Sequence, residues 1–149
     1  MPRGGGSIWI DAAPERVFEF VSDVENNPRW RSYVVDAQWL DDGPMRIGRR
    51  GRQTSSVLGR RWSVEAEVVE WEPPRRVVWA TTAGDAAVRT ACEVAPEGGG
   101  SRLSMWTEGA FTNPILRVLS PILIATMKRQ ATSDGRKLSQ ALASIRQPD

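Results

Sequence analysis

The strongest constraint on this fold is a central stretch, residues 35–109, in which apolar and polar side chains roughly alternate. Alternation with a period of two is the pattern of strands that bury one face. Turn-forming residues such as Leu58-Gly59 and Pro73-Pro74 divide the stretch into short segments. We predict six strands, near residues 35–40, 49–57, 61–71, 75–82, 85–94 and 101–109. Connections this short join antiparallel neighbours, so the stretch is a meander and not a parallel βαβ sheet.

The segment before the meander predicts one short strand and two helices. Residues 1–6 are expected to form a flexible lead-in, followed by a strand at residues 8–10. Pro14 suits the first position of a helix, and apolar residues follow it at helical spacing. Asp23 can cap a second, shorter helix. We expect that helix to end before Pro28, because the residue preceding a proline disfavours helical backbone.

The C-terminal segment predicts one long amphipathic helix, because apolar side chains recur every three or four residues between positions 119 and 145. A start at Ser120-Pro121 gives a helix of roughly 25 residues, about 37 Å long. The alternative is a start at Asn113-Pro114, with Pro121 kinking the helix.

These elements predict a single α+β domain over residues 7–146, followed by a tail at residues 147–149. Its sheet is antiparallel, curved and seven-stranded, with two short helices after the first strand and the long helix at the C-terminus. A seven-stranded sheet with normal twist curls, so a straight helix laid across it leaves space beneath. We therefore expect a cavity between the sheet and the C-terminal helix.

The composition argues against several kinds of site. The chain has no histidine, which is the commonest general base and the commonest metal ligand. Its one cysteine, Cys92, cannot form an internal disulfide or a thiolate cluster. We therefore expect no metal and no cofactor. No apolar run reaches the ~20 residues of a membrane span, so a cytoplasmic protein is predicted.

Macromolecular partners are weakly indicated. The net charge is +2 and the arginines alternate with acidic residues, without a recognised nucleic-acid motif, so nucleic-acid binding is not favoured. The apolar run at residues 115–124 has two interpretations. It either faces the cavity or forms a partner surface, for which a homodimer is the competing hypothesis.

Several motifs resemble one family. They are IDAAPERVF at residues 10–18, SDVE at 22–25, PRW at 28–30 and VVEWEPPRRVVW at 68–79. With the long C-terminal helix, they resemble the polyketide cyclase/dehydrase-like branch of the START-like, or Bet v 1-like, superfamily (SRPBCC). The resemblance covers about residues 7–145. It implies the helix-grip fold and a ligand cavity, but no particular reaction, because the superfamily includes lipid carriers and hormone-binding proteins as well as aromatase/cyclases.

Alternation and helical spacing select the candidate ligand-binding residues. The chain has seven tryptophans, whose large faces suit flat apolar ligands. Even-numbered positions of the strand at residues 61–71 share the face that we expect to point inward. We predict that ten residues line the pocket: Trp30, Trp62, Val64, Trp79, Thr54, Thr90, Met105, Leu119, Leu123 and Met127. The last three lie one helical turn apart and would form its lid.

The strand at residues 49–57 is unusually polar and leaves its orientation open. Either Thr54 and Ser56 or Gln53 and Ser55 face the interior, where they could orient a ligand, since buried polar groups need partners. Alternatively, the polar residues protect an edge strand from edge-to-edge association.

Other side chains with potential chemistry have simpler interpretations. Glu65 and Glu67 could form a carboxylate pair for acid/base work, but they fall on the outward face. There, cross-strand pairing with an arginine such as Arg52 is favoured. Cys92 has apolar neighbours and is expected to be a small core residue.

These observations favour a carrier or sensor that binds a small hydrophobic molecule, whether aromatic, polyketide-like or isoprenoid. The alternative is an enzyme, a metal-free lyase of the cyclase/dehydratase type, which requires an ionisable side chain pointing into the pocket. No residue is assigned a catalytic role. A third hypothesis is an interaction module that works through its surface.

Overall fold

The structure, a computed structural model, describes residues 3–146, with the backbone alone described at residues 3, 4, 131, 132 and 144–146. In chain order the elements are β1 (Arg3–Ile10), α1 (Pro14–Ser22), a 3₁₀ turn (Val24–Asn26), α2 (Asn27–Trp30), β2 (Val34–Trp39), β3 (Arg50–Val57), β4 (Arg60–Glu72), β5 (Arg76–Gly84), β6 (Ala86–Glu97), β7 (Gly100–Phe111) and α3 (Pro114–Arg146). The predicted tail and the side chains of Ala131 and Ile145, part of the apolar stripe of the C-terminal helix, lie outside the described residues.

The strands form one antiparallel sheet in the order β1-β7-β6-β5-β4-β3-β2. The predicted meander is therefore confirmed, and β1 completes the sheet by pairing with β7. Leu58 and Gly59, both with positive φ, form the two-residue turn between β3 and β4. Register shifts in the β2–β3 and β4–β5 pairs bend the strands and increase the curl. With α3 packed against the curved sheet, the predicted α+β helix-grip fold is confirmed.

Strand β1 begins earlier than predicted. Residues 4–6, expected to be a flexible lead-in, pair with β7 instead. A Cβ on Gly5 would stand only 2.9 Å from the Cβ of Trp106 and closer still to the backbone oxygen of Met105. Glycine therefore allows this approach to β7, and that role is not visible in the sequence. Residues 1 and 2 lie outside the described part.

The helical connection after β1 confirms one boundary and corrects another. Helix α1 begins at Pro14 as predicted, and Asp23 Oδ1 accepts a hydrogen bond from the backbone N–H of Glu25 at 3.1 Å. However, helical backbone does not stop at Pro28. It resumes at Asn27, and Pro28 lies in the first turn of α2, where its missing N–H removes no helical hydrogen bond.

Helix α3 starts at Pro114, so the start at Ser120-Pro121 is wrong and the alternative at Asn113-Pro114 is correct. The side-chain oxygen of Asn113 accepts from the backbone N–H groups of Ile115 and Leu116, at 3.0 and 3.4 Å. This cap satisfies donors that a helix N-terminus leaves free.

The C-terminal half of α3 is attached closely to β1 and to the loop after α2. Leu138 and Leu142 are buried in the main core. Gly135 lies where a Cβ would come within 3.1 Å of Ile8 Cδ1. Asp134 accepts from both the backbone N–H and the hydroxyl of Ser32, at 3.0 and 2.5 Å. These contacts fix the loop after α2. The same loop carries Arg31, the central residue of the site described below.

The N-terminal half of α3 keeps an exposed apolar face. Ile115, Val118 and Ile122 are each more than half exposed. The homodimer hypothesis for this region therefore stays a prediction. Within the described residues, no helix combines the length and hydropathy needed to cross a bilayer.

Candidate functional site

A cavity of about 100 Å³ lies between the inner face of strands β3–β6 and the helical connection α1–α2. Most of its lining is apolar, namely Val21, Val24, Val64, Ala66, Trp79 and Val88. Its polar lining comes chiefly from Asn27, Arg31, Gln53, Thr81 and Thr90. A mostly apolar concavity with a few polar groups is typical of a small-molecule site.

The register of the sheet explains which strand residues reach this cavity. Gly51 pairs with Ala66 and Gln53 with Val64, so odd positions of β3 and even positions of β4 share the inner face. Gly51 also leaves room for the 3₁₀ turn, because a Cβ there would come within 3.2 Å of Val24 Cγ1. The inward orientation predicted for the even positions of β4 is confirmed.

Three of the predicted pocket residues line the cavity, namely Val64, Trp79 and Thr90. Trp79 stands opposite Thr90 across the β5–β6 pair. The centre of the Trp79 ring lies 5.4 Å from that of the Trp39 ring. This aromatic contact restricts the movement of the Trp79 side chain.

Four of the predicted pocket residues lie outside the cavity lining, so the C-terminal helix does not form the expected lid. Trp62, Leu119, Leu123 and Met127 belong to a second apolar cluster under the N-terminal half of α3, and none of the four lines the cavity, although Val64 packs against the cluster and also lines the cavity. The edge of the Trp62 ring meets Phe111 at 5.1 Å, and Leu116 is buried beside them. Because these side chains fill the space, the cavity opens under α1–α2 rather than under α3.

Thr54 is a second correction, because the structure places it on the outer face of the sheet. Its hydroxyl lies 2.9 Å from that of Ser63, and the same face carries the ion pair between Arg52 and Glu65, at 3.5 Å. The open orientation of β3 is thereby resolved in favour of Gln53 and Ser55, which face inward. The favoured pairing of Glu65 with Arg52 is confirmed.

The remaining two predicted residues, Trp30 and Met105, lie against a side chain that the sequence pattern did not single out. Trp30 is fully buried, and the guanidinium of Arg31 stands 4.7 Å from the centre of its ring. The Arg31 Nη2 also points to the sulfur atoms of Met105 and Cys92, at 3.5 and 3.8 Å. Its Nη1 donates to the hydroxyl of Tyr33 at 3.2 Å.

Arg31 is therefore a half-buried cation whose Nη2 has only weak acceptors. Sulfur atoms accept hydrogen bonds poorly, and no carboxylate in the described part of the chain lies within ion-pair distance of Arg31. Its Nε is buried and has no hydrogen-bond partner among the described residues. A buried, incompletely satisfied charge is costly, so it requires an explanation.

The electrostatics of Arg31 combine its burial with the attraction of three nearby side chains. Burial opposes the charge and lowers the pKa of Arg31, but Tyr33, Cys92 and Asp134 outweigh it, and the pKa ends above its ordinary value. The charged form of Arg31 is therefore favoured despite its burial.

Asn27 contributes a second unsatisfied atom to the same cavity. Its side-chain N–H group donates to Gln53 Oε1 at 2.8 Å, whereas its Oδ1 is buried and has no partner within the described residues. Asn27 and Arg31 are four residues apart at the two ends of α2, and both line the cavity. The cavity thus offers one free acceptor and one free charged donor.

Cys92 is buried on the same wall, as expected of a core residue. Burial raises the pKa of its thiol, and the nearby Arg31 offsets this only in part. The thiol is therefore protonated at neutral pH and is a poor nucleophile.

We expect iodoacetamide to alkylate Cys92 at pH 7.5 at least ~100-fold more slowly in the folded protein than in urea, because the thiol is both buried and protonated. The rate, followed by intact mass spectrometry, should still rise above pH 9. Equal rates in folded and unfolded protein would show that the cavity wall opens freely.

A larger groove of about 400 Å³ runs between α1, the residues around Met45 and the β4–β5 turn. It includes Trp39 and Arg49, but both are already engaged. Trp39 Nε1 donates to Asp23 Oδ1 at 3.0 Å, and Arg49 stacks on the Trp39 ring while pairing with Asp41 at 3.3 Å. The smaller cavity is the better candidate, because two buried polar atoms in its lining, Asn27 Oδ1 and Arg31 Nε, have no partner among the described residues.

The chain is similar to known proteins in sequence and in structure. A family model described as "Polyketide cyclase / dehydrase and lipid transport" matches residues 1–143. An uncharacterized protein of Mycobacterium tuberculosis is 26% identical over 133 residues, which cover 83% of this chain and 76% of that protein.

Two solved structures show the likeness of the fold. TTHA0849 from Thermus thermophilus has a TM-score of 0.81 at 21% identity, covering 98% of this chain and 100% of that one. The Zhui aromatase/cyclase from Streptomyces sp. R1128 has a TM-score of 0.76 at 12% identity, covering 95% and 93% of the two chains. Identities this low support the shared fold and not a shared activity.

Proposed function

The chain belongs to the polyketide cyclase/dehydrase and lipid transport family, and from that premise we propose that it binds a small hydrophobic ligand in the cavity beneath α1–α2, as a carrier or sensor. The resemblance predicted from the sequence motifs is thereby confirmed. The observation that carries the proposal is the cavity itself, whose apolar wall surrounds polar atoms that lack partners among the described residues. A location in the cytoplasm belongs to the same proposal.

The size of the cavity narrows the ligand. Its volume of about 100 Å³ is several times the ~10–15 Å³ that one water requires, but below the ~300–1,000 Å³ of sites for drug-sized molecules. It therefore suits a molecule with about one ring better than an extended polyketide chain. Trp79 and its neighbours supply a flat apolar wall for such a ring.

An enzymatic role of the cyclase/dehydratase type has one observation in its favour, because Arg31 brings an ionisable group into the cavity. A guanidinium could stabilise the negative charge of an enolate. However, proton abstraction also needs a base. The ionisable side chains among the described lining residues are Arg31, Arg52 and Cys92, and the pKa of that thiol is raised. Binding without catalysis therefore agrees better with the lining.

We expect one-ring compounds such as toluene and phenol to bind the wild-type protein, and Ala66→Phe to weaken binding by at least ~10-fold, because the new ring occupies the cavity. Ala66 lies on the inner face of β4. Ligand-observed NMR measures binding, and circular dichroism verifies the fold of the variant.

Glu67→Phe is the matched control, because position 67 lies on the outer face of the same strand. It should bind the compounds as wild type does. Equal binding by Ala66→Phe and wild type would place the ligand elsewhere, and no binding by wild type would remove the proposal.

A further inference from the structure

The unsatisfied atoms at the two ends of α2 define the chemistry of the ligand more closely than the apolar wall does. Arg31 Nε has no partner among the described residues, and Nη2 on the same edge of the guanidinium reaches only the sulfur atoms of Met105 and Cys92 there. These two nitrogens form the side-on fork with which arginine binds a carboxylate through two parallel hydrogen bonds. A ligand oxygen would displace weak sulfur contacts there, not an existing ion pair.

The charge balance indicates an anion with a single negative charge. Arg52, the other arginine in the lining, pairs with Glu65 on the outer face of the sheet, which leaves Arg31 as the free cation among the described lining residues. A dianion such as a phosphate ester would remain half neutralised in an apolar cavity, which is unfavourable. One carboxylate matches one guanidinium.

Because of Asn27 Oδ1, we also expect the ligand to carry a hydrogen-bond donor. This buried oxygen accepts no hydrogen bond from the described residues, and the amide N–H group of the same side chain is engaged by Gln53. A hydroxyl on the ligand could donate to Oδ1 and remove the cost of leaving it unsatisfied. The side of the cavity formed by α2 would then hold both polar groups of the ligand.

We propose that the cavity binds a one-ring organic acid, its carboxylate paired with the Nε–Nη2 edge of Arg31 and a ring hydroxyl donating to Asn27 Oδ1. This inference rests on the proposed function, because it assigns a ligand class to the same cavity. The apolar ring lies against Trp79 and Val64, and the carboxylate supplies the negative charge that the buried guanidinium lacks.

The test compares two compounds of nearly identical shape, benzoate and neutral nitrobenzene, by isothermal titration calorimetry. Wild type should bind benzoate at least ~10-fold more tightly, the ratio expected when a charged hydrogen bond is gained. Arg31→Gln should lose this preference. Arg29→Gln, which removes an exposed arginine of the same helix, should keep it.

A second readout locates the anion. In wild type, benzoate should shift the ¹⁵Nε–¹H resonance of Arg31, and nitrobenzene should not. Of the three hydroxybenzoate isomers, at least one should bind ~2- to 10-fold more tightly than benzoate, as one added hydrogen bond allows. If no isomer gains affinity, the role of Asn27 is overturned.

The outcomes separate the inference from the proposed function. If nitrobenzene binds wild type as tightly as benzoate does, the pairing with Arg31 is overturned and the apolar cavity stands as the ligand site. If neither compound nor any one-ring hydrocarbon binds, both are overturned. The comparison of the two compounds needs wild type alone, so it decides the question even if Arg31→Gln does not fold.

Discussion

Replacement of Trp30 by alanine is expected to lower the free energy of unfolding by about 3–5 kcal/mol, the cost typical of removing a buried tryptophan. Trp30 is the last residue of α2 and has no exposed surface. Its ring belongs to the main core, and the guanidinium of Arg31 stands 4.7 Å from the ring centre. The loss would therefore combine a large void with an arginine that has lost its stacking partner. Urea unfolding followed by far-ultraviolet circular dichroism measures the change.

Trp9→Ala is the matched control for this loss. Trp9 is 44% exposed on β1, and its Nε1 donates to the backbone oxygen of Glu97 at 2.8 Å. Truncation there should cost about 0.5–1.5 kcal/mol, the value of one hydrogen bond. If Trp30→Ala costs no more than Trp9→Ala, then Trp30 does not support the core in the way the structure indicates.

Replacement of Arg31 by methionine is expected to raise the free energy of unfolding by about 1–3 kcal/mol, because exchanging a buried charge for a well-packed apolar side chain is often stabilising. The guanidinium lies among Trp30, Met105 and Cys92, which are suitable neighbours for a thioether. Its Nε has no partner in the described part of the chain, so the substitution removes an unsatisfied donor rather than a donor that makes a hydrogen bond. Thermal and urea unfolding both measure the gain.

The direction of this change separates a functional arginine from a structural one. A residue retained for binding reduces stability in the free protein, whereas a residue retained for folding supports it. Arg29→Met changes an exposed arginine on the same helix and should leave stability nearly unchanged. A clear loss of stability in Arg31→Met would mean that the hydrogen bond to Tyr33 and the attraction of Asp134 outweigh the cost of burial, and that the guanidinium has a structural role.

At saturating benzoate, wild type should have a higher free energy of unfolding than Arg31→Met, the reverse of the order expected without ligand. A ligand that binds only the folded state stabilises it in proportion to the logarithm of its concentration over the dissociation constant. Wild type would therefore gain stability from benzoate, and Arg31→Met would gain much less. The pair of measurements links the stability of the free protein to the ligand class inferred from Arg31 and Asn27.

Much of the fold was accessible from the sequence, because it depends on local periodicity and turn chemistry. The alternation from residue 35 to residue 109 predicted the meander, with strand ends shifted by a few residues. The inward positions of β4 and the placement of Val64, Trp79 and Thr90 on the inner face follow from the same period of two. The cap at Asp23 was predictable from its neighbours in the chain.

The position of the cavity was decided by the tertiary structure alone. The spacing of Leu119, Leu123 and Met127 correctly indicates an apolar helix face, but it contains no information on what fills the space beneath. Trp62 from β4 and Phe111 from β7 occupy that space, together with Leu116 of the same helix. Thr54 faces outward because the register between β3 and β4 fixes the face of every β3 residue. In a polar strand such as β3, the sequence has no apolar alternation that would indicate which positions point inward.

The sequence by itself determined the seven-stranded sheet, the long C-terminal helix and the apolar character of the inner face. Only the tertiary structure showed the site of the proposed chemistry, since Arg31 is one of many arginines in the sequence. Its significance comes from its position against Trp30, Met105 and Cys92, with no carboxylate of the described residues within ion-pair distance. Periodicity reports which face a residue occupies, whereas the environment of a charge depends on side chains brought together from α2, β6 and β7.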